Sequence, residues 1–208
     1  MDLNIVLKGL MIGFSIAAPV GPIGVLCIRR TLAEGRWVGL FTGLGAATAD
    51  ALYGCAAAFG LSVVTQLLVG AQGWLRLVGG GFLVYLGVRT FLARPATQAA
   101  AVKKAGSGLA GAYFSTVALT LTNPMTILSF AAVFAGLGAG DWQGPGGAAL
   151  LVGAVFCGSA AWWLLLSGGV SLIRERFQGG WMVWVNRVSG AVLCAFGLWQ
   201  LAALVRVG

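Results

Sequence analysis

The 208-residue sequence contains no histidine, only five acidic residues, and 9% charged residues of any kind. Without histidine, the usual zinc, haem and general-base designs lose their commonest residue, so no metal, no cofactor and no catalytic set is expected. Cys27, Cys55, Cys157 and Cys194 stand singly in apolar segments, with no Cys-x-x-Cys pair, which argues against a thiol relay. A soluble domain of this length would carry roughly a quarter charged residues. Here 59% of the residues are hydrophobic and the mean hydropathy is +0.95, which marks a polytopic membrane protein with almost no soluble mass.

The net charge of +8 invites a nucleic-acid reading, but the cations sit in short loops between apolar runs. The positive-inside rule accounts for them more simply, so no nucleic-acid partner is expected. Six apolar segments emerge, over residues 4–28, 38–62, 66–92, 109–137, 146–172 and 183–205. The first, with Ala17-Ala18 near a cleavage position, could pass for a signal peptide; it is read as a span because no soluble domain follows it. The one linker of any length, rich in alanine, runs from Ala93 to Gly108. The expected division is a first three-helix repeat in 1–95, a cytoplasmic linker at 96–108, and a second three-helix repeat in 109–208, all within one membrane domain. Arg29, Arg30 and Arg36 mark the first connection, Arg94, Lys103 and Lys104 the third, and Arg174 and Arg176 the fifth. The second, around Gln66 to Gly73, has no cation, and the fourth carries only Asp141. Basic connections face the cytoplasm, so both termini are expected outside, in a multi-pass protein of the inner (plasma) membrane.

Within the first span lies Ala17-Ala18-Pro19-Val20-Gly21-Pro22-Ile23-Gly24. Pro19 removes the hydrogen bond to the Ser15 carbonyl and Pro22 the one to Ala18. Non-helical backbone at membrane depth must face protein, water or a ligand. The second half has its own break, Thr120-Leu121-Thr122-Asn123-Pro124-Met125-Thr126, where Pro124 frees the Thr120 carbonyl and Asn123 brings an amide that donates and accepts. A plain kink, or polar glue between helices, is the alternative at each place.

The two breaks correspond. Pro19 and Pro124 are 105 residues apart, as are Leu32-x-x-Gly35-x-Trp37 and Leu137-x-x-Gly140-x-Trp142. Trp74, Val78, Gly80, Leu83 and Gly87 recur 110 residues later as Trp184, Val188, Gly190, Leu193 and Gly197. An odd number of spans per half inverts the second copy, and inverted repeats are a transporter architecture with the site near the midplane.

Asp50 is the acid deep inside a span, on a helix face with Gly43, Ala47 and Gly54. Small neighbours turn that face into the bundle, and burial disfavours the charged form of a carboxyl. Asp50 is therefore expected to take up and release a proton; a structural acid, paired with an arginine such as Arg187 or hydrogen-bonded to a neighbour, is the alternative. Arg76 is expected to snorkel to the interface, while Arg187 is left between that role and reaching a substrate. Trp162, Trp163, Trp181, Trp184 and Trp199 read as interface belt and packing.

Six spans, the early Pro19-Val20-Gly21-Pro22, Asp50 in the second span and Asn123-Pro124 in the fourth together resemble the LysE/RhtB family of amino-acid exporters. The resemblance covers essentially the whole chain. It implies efflux of amino acids or related small metabolites, driven by the proton gradient, and carries over Pro19, Gly21, Pro22, Asp50, Asn123 and Pro124. Many members follow Asn-Pro with lysine, whereas this chain has Met125.

The expectation is thus an all-α membrane protein with six transmembrane helices in two inverted three-helix repeats, the first helix of each half broken. It is read as a secondary transporter, not an enzyme, working by alternating access. The substrate-binding set is Pro19, Gly21, Pro22, Thr120, Asn123 and Pro124, with Asp50 for proton coupling. Its partners are an amino acid or similar small molecule, the proton and the lipid bilayer; a homo-oligomer is left open. A membrane enzyme and a non-transporting assembly subunit are the competing readings.

Overall fold

Proline and glycine set the helix boundaries. The computed structural model describes residues 2–19, 21–58, 70–93, 98–137, 144–177 and 180–205. Helix α1 (Asp2–Ala17) stops where Pro19 cannot continue it, and α2 (Pro22–Glu34) starts with proline at its first position, where no N–H is needed. The axes of α1 and α2 meet at 79°. A single residue, Gly35, at φ +105°, turns the chain into α3 (Arg36–Ala58). Helix α4 (Gln72–Phe91) and α5 (Gln98–Leu121) follow, then α6 (Pro124–Leu137), α7 (Gly144–Ile173), a short 3-10 turn at Arg174–Phe177 and α8 (Gly180–Val205). No strand occurs among the described residues.

Two local readings differ from the sequence pattern. Arg29 and Arg30, read as loop cations, lie inside α2. Helix α5 begins at Gln98, so much of the 96–108 stretch is helical. The connection over 59–69, Val20, Arg94, the loop bearing Asp141, and Arg206 lie outside the described residues.

The helices pack in a definite pattern. Helix α4 lies along α8, α1 along α7, and α3 between α7 and α5, while α2 touches α3, α5, α7 and α8. The α4–α8 pair is closed by glycine. A Cβ added at Gly80 would stand 3.0 Å from the Gly197 carbonyl oxygen, and one at Gly87 2.9 Å from that of Gly190. Ala17, Ile23, Leu26, Cys27, Ala46, Ala47, Leu83, Leu119, Trp163 and Leu193 form the central core. The outer surface is apolar, with Met11, Trp74, Leu165, Trp181 and Trp184 exposed, as a lipid-facing wall requires.

Helices α7 (as Gly144–Ile173) and α8 (as Trp181–Leu204) are long and apolar enough to cross a bilayer, and α1 with α2 passes as a bent pair. Among the described residues that gives two or three spans by length and composition, where six are expected from the sequence. The reason lies in the residues: α3 carries Asp50, Thr42 and Thr48, α4 carries Arg76 and Arg89, and α5 and α6 are divided at Thr122-Asn123.

Candidate functional site

At the first break, the Ala18 N–H still reaches the Phe14 carbonyl at 2.9 Å, so the helix persists up to Pro19. Gly21 precedes α2 in an extended conformation, with no side chain capping the helix. The first amides of α2 therefore keep their donors and their share of positive dipole. A Cβ added at Gly21 would meet nothing within 4 Å, so the break faces open space. Pro22 is buried and Pro19 exposed. Beside this break, α1 and α7 form a surface groove of about 320 Å³, lined by Leu10, Met11, Phe14, Ser15, Gly158 and Ala161. It contains none of the expected site residues.

The second break is built more tightly. The Asn123 N–H takes the Thr120 carbonyl that Pro124 cannot serve, at 3.1 Å. Asn123 Oδ1 accepts the Met125 N–H at 3.1 Å, an N-cap for α6. That leaves the Leu121 carbonyl without its helical donor, and the Tyr53 hydroxyl donates to it at 2.6 Å. Tyr53 also stacks on Phe130 of α6, centroids 5.5 Å apart. Thr120 is 2% exposed and its Oγ1 has no hydrogen-bond partner among the described residues. The Met125 side chain points outward, 51% exposed, so position 125 joins the break through its backbone alone.

Asp50, on α3, is 3% exposed. Ser159 Oγ donates to its Oδ2 at 2.7 Å and accepts from Trp163 Nε1 at 3.2 Å. The expected small face is there: Gly43 meets Trp163 and Gly54 meets Val152 and Val155, all on α7. The carboxyl is met by a serine and not by an arginine; Arg187 is exposed on α8. Trp163 packs in one cluster with Ala17 and Ile23, which flank the first break, and with Ala46 and Ala47, one turn before Asp50. Helix α3 thus sets Asp50 against Ser159 of α7 and Tyr53 onto the second break. No hydrogen bond joins Asp50 to either break among the described residues. Nor do those residues include a group of three or more Cys, Asp or Glu fit to hold a metal.

Three features escape the sequence pattern. Ser159 and Tyr53 are ordinary residues until the fold sets them against Asp50 and Leu121. Arg76, expected to reach the interface, has its Nε buried without a partner among the described residues, as has Gln200 Oε1. Arg30 is 9% exposed and donates to Thr42, Ala112, Ser115 and Thr116.

The comparisons bear on what such a bundle does. The chain matches the LysE type translocator family over residues 14–203. It is 26% identical to "Putative amino acid efflux protein YcgF" of Bacillus subtilis (strain 168), over 95% of each chain. It is 31% identical to "Uncharacterized membrane protein YahN" of Escherichia coli (strain K12), over 82% of this chain and 77% of that one. No solved structure matches it. This histidine-free, all-helical bundle, with apolar walls, two proline breaks and the buried acid Asp50, belongs to the LysE type translocator family, and is a membrane transporter and not an enzyme.

Proposed function

We propose that the protein exports amino acids or related small metabolites from the cytoplasm by proton antiport with alternating access. Six spans form two inverted three-helix repeats, 1–95 and 109–208, joined by a cytoplasmic linker at 96–108. Both termini lie outside an inner (plasma) membrane. The helix pairing supports the repeat. Gly80 and Gly87 correspond to Gly190 and Gly197 by 110 residues, and the close pairs are Gly80 with Gly197 and Gly87 with Gly190. Exchanging the halves turns each pair into the other. The packing of α1 on α7 is likewise the counterpart of α5 on α3.

Substrate sits between the Pro19–Pro22 and Asn123–Pro124 breaks, where the uncapped start of α2 offers amide donors to a carboxylate. Gly21 leaves room there, and the unpaired Thr120 hydroxyl is a second polar handle. The observation that carries the coupling is Asp50: an acid 3% exposed whose partner is a neutral hydroxyl. With no cation paired to it among the described residues, such a carboxyl binds and releases a proton as access alternates. A growth-protection and efflux screen against amino acids and dipeptides, wild type beside Asp50→Asn, tests this. Protection by the wild type and none by the variant is expected; equal protection by both would remove Asp50 from coupling.

A further inference from the structure

Arg30 is a buried cation whose hydrogen-bond acceptors among the described residues are all neutral oxygens, with the Glu34 carboxylate acting on it from one turn along α2 without a hydrogen bond. Its Nη1 donates to Thr42 Oγ1, Thr116 Oγ1 and the Ala112 carbonyl, each at 3.1 Å, and its Nη2 to Ser115 Oγ at 3.0 Å. The hydroxyls are oriented for it. Thr42 gives its own proton to the Val38 carbonyl, and Thr116 and Ser115 give theirs to Ala112. Their lone pairs are left for the guanidinium. The neighbouring Arg29 is neutralised by Glu34 at 3.2 Å, but no carboxylate pairs with Arg30 among the described residues. A charge taken out of water and solvated only by dipoles keeps much of its desolvation penalty, and intramembrane charges are usually functional.

The cage also ties three moving parts together. Arg30 belongs to α2, the helix after the first break; Thr42 lies on α3, which carries Asp50; Ala112, Ser115 and Thr116 lie on α5, which leads to the second break. We infer that Arg30 binds the free carboxylate of the exported solute when the cytoplasmic side opens, and that the neutral cage is its resting partner set. A carboxylate presents two ionised oxygens to the guanidinium fork and outcompetes single hydroxyls. Capture of the solute then releases α2 from α3 and α5 at the cytoplasmic end. The basic connections place that end toward the side from which an exporter loads. The inference rests on the export reading, in which the α2 amides hold the solute carboxylate at the breaks, and adds an earlier step at which Arg30 takes that carboxylate on the cytoplasmic side.

The test uses the purified full chain, the standard L-amino acids and the carboxamide of each. Binding is read by titrated thermal stabilisation, and gradient-driven uptake is read in proteoliposomes. Wild type should bind the preferred acid at least about tenfold more tightly than its amide, since a site built for one polar group rejects the analogue lacking it. Arg30→Gln should bring the two within about twofold, with Arg30→Lys, which keeps charge but loses the fork, in between. A second variant does not depend on Arg30→Gln folding. With Ser115→Ala and Thr116→Val combined, two of the four competing acceptors are gone, so the acid should bind more tightly than to wild type; a purely structural cage would loosen and bind it less well. Equal binding of acid and amide by wild type, an unchanged preference in Arg30→Gln, or weaker acid binding by the double variant would overturn the assignment. An Arg30-dependent acid preference with no transport of any solute would overturn the export reading and leave the carboxylate site standing.

Discussion

Asp50 owes its partner to the smallness of its surroundings. Gly43 lets Trp163 lie directly against α3, which brings Ser159, one turn before it on α7, within reach of the carboxyl. Ser159→Ala removes that donor and the acceptor of Trp163 Nε1 together. It should cost about 1–2 kcal/mol of stability, the range for a buried hydrogen bond, read as a lower unfolding midpoint. Gradient-driven transport should weaken yet persist, because the carboxyl itself remains. Tyr53→Phe makes a sharper point about the second break. It strands the Leu121 carbonyl, which lost its helical donor to the Asn123 cap, so a loss of about 1–3 kcal/mol is expected from the same measurement. Sequence alone exposes neither role. Ser159 is 109 residues from Asp50, and no local pattern sets a serine on α7 apart from Ser167 or Ser171.

At the scale of the element, both breaks are legible in the sequence because proline chemistry is local. Pro22 sits at the first position of α2 and Pro124 at that of α6, where their spacing puts them. The face of Gly43, Asp50 and Gly54 against α7 follows as directly from helical periodicity. Charge misleads instead. Arg29 and Arg30 belong to a basic pattern that marks loops, yet α2 runs on to Glu34 and Gly35 makes the whole turn. Only the contact of α2 with α3 and α5 reveals that Arg30 is enclosed. The glycines separate two kinds of element boundary experimentally. Gly87→Val drives a side chain into Gly190 and Cys194 and should destabilise the α4–α8 pair by about 2–3 kcal/mol. Gly21→Ala, where nothing lies within 4 Å and the backbone is extended, should change stability by less than about 0.5 kcal/mol. Any loss of transport in Gly21→Ala then comes from narrowing the space at the break and not from misfolding.

For the whole molecule, composition fixes the class and the family follows from motifs spread across both halves. Length and apolarity alone recover only two or three spans. The remaining helices carry the glycines, threonines, arginines and the acid that make the interior polar and close-packed, so the residues of the proposed transport site are those that dilute the membrane signal. The proposed inverted arrangement makes a topological prediction: an impermeant thiol label on a cysteine added at either terminus should react in intact cells, and one in the 96–108 stretch should react only after permeabilisation. Labelling of the termini only after permeabilisation would turn the molecule over and with it the side on which Arg30 loads.

Asp50 is the group proposed to exchange a proton for the substrate. The most direct measurement is transport by Asp50→Asn in proteoliposomes loaded with the solute found by the efflux screen, with and without an imposed pH gradient. The account predicts that the variant exchanges labelled for unlabelled solute at a rate near wild type but gains no accumulation from the gradient. Accumulation by Asp50→Asn to the wild-type level would contradict it.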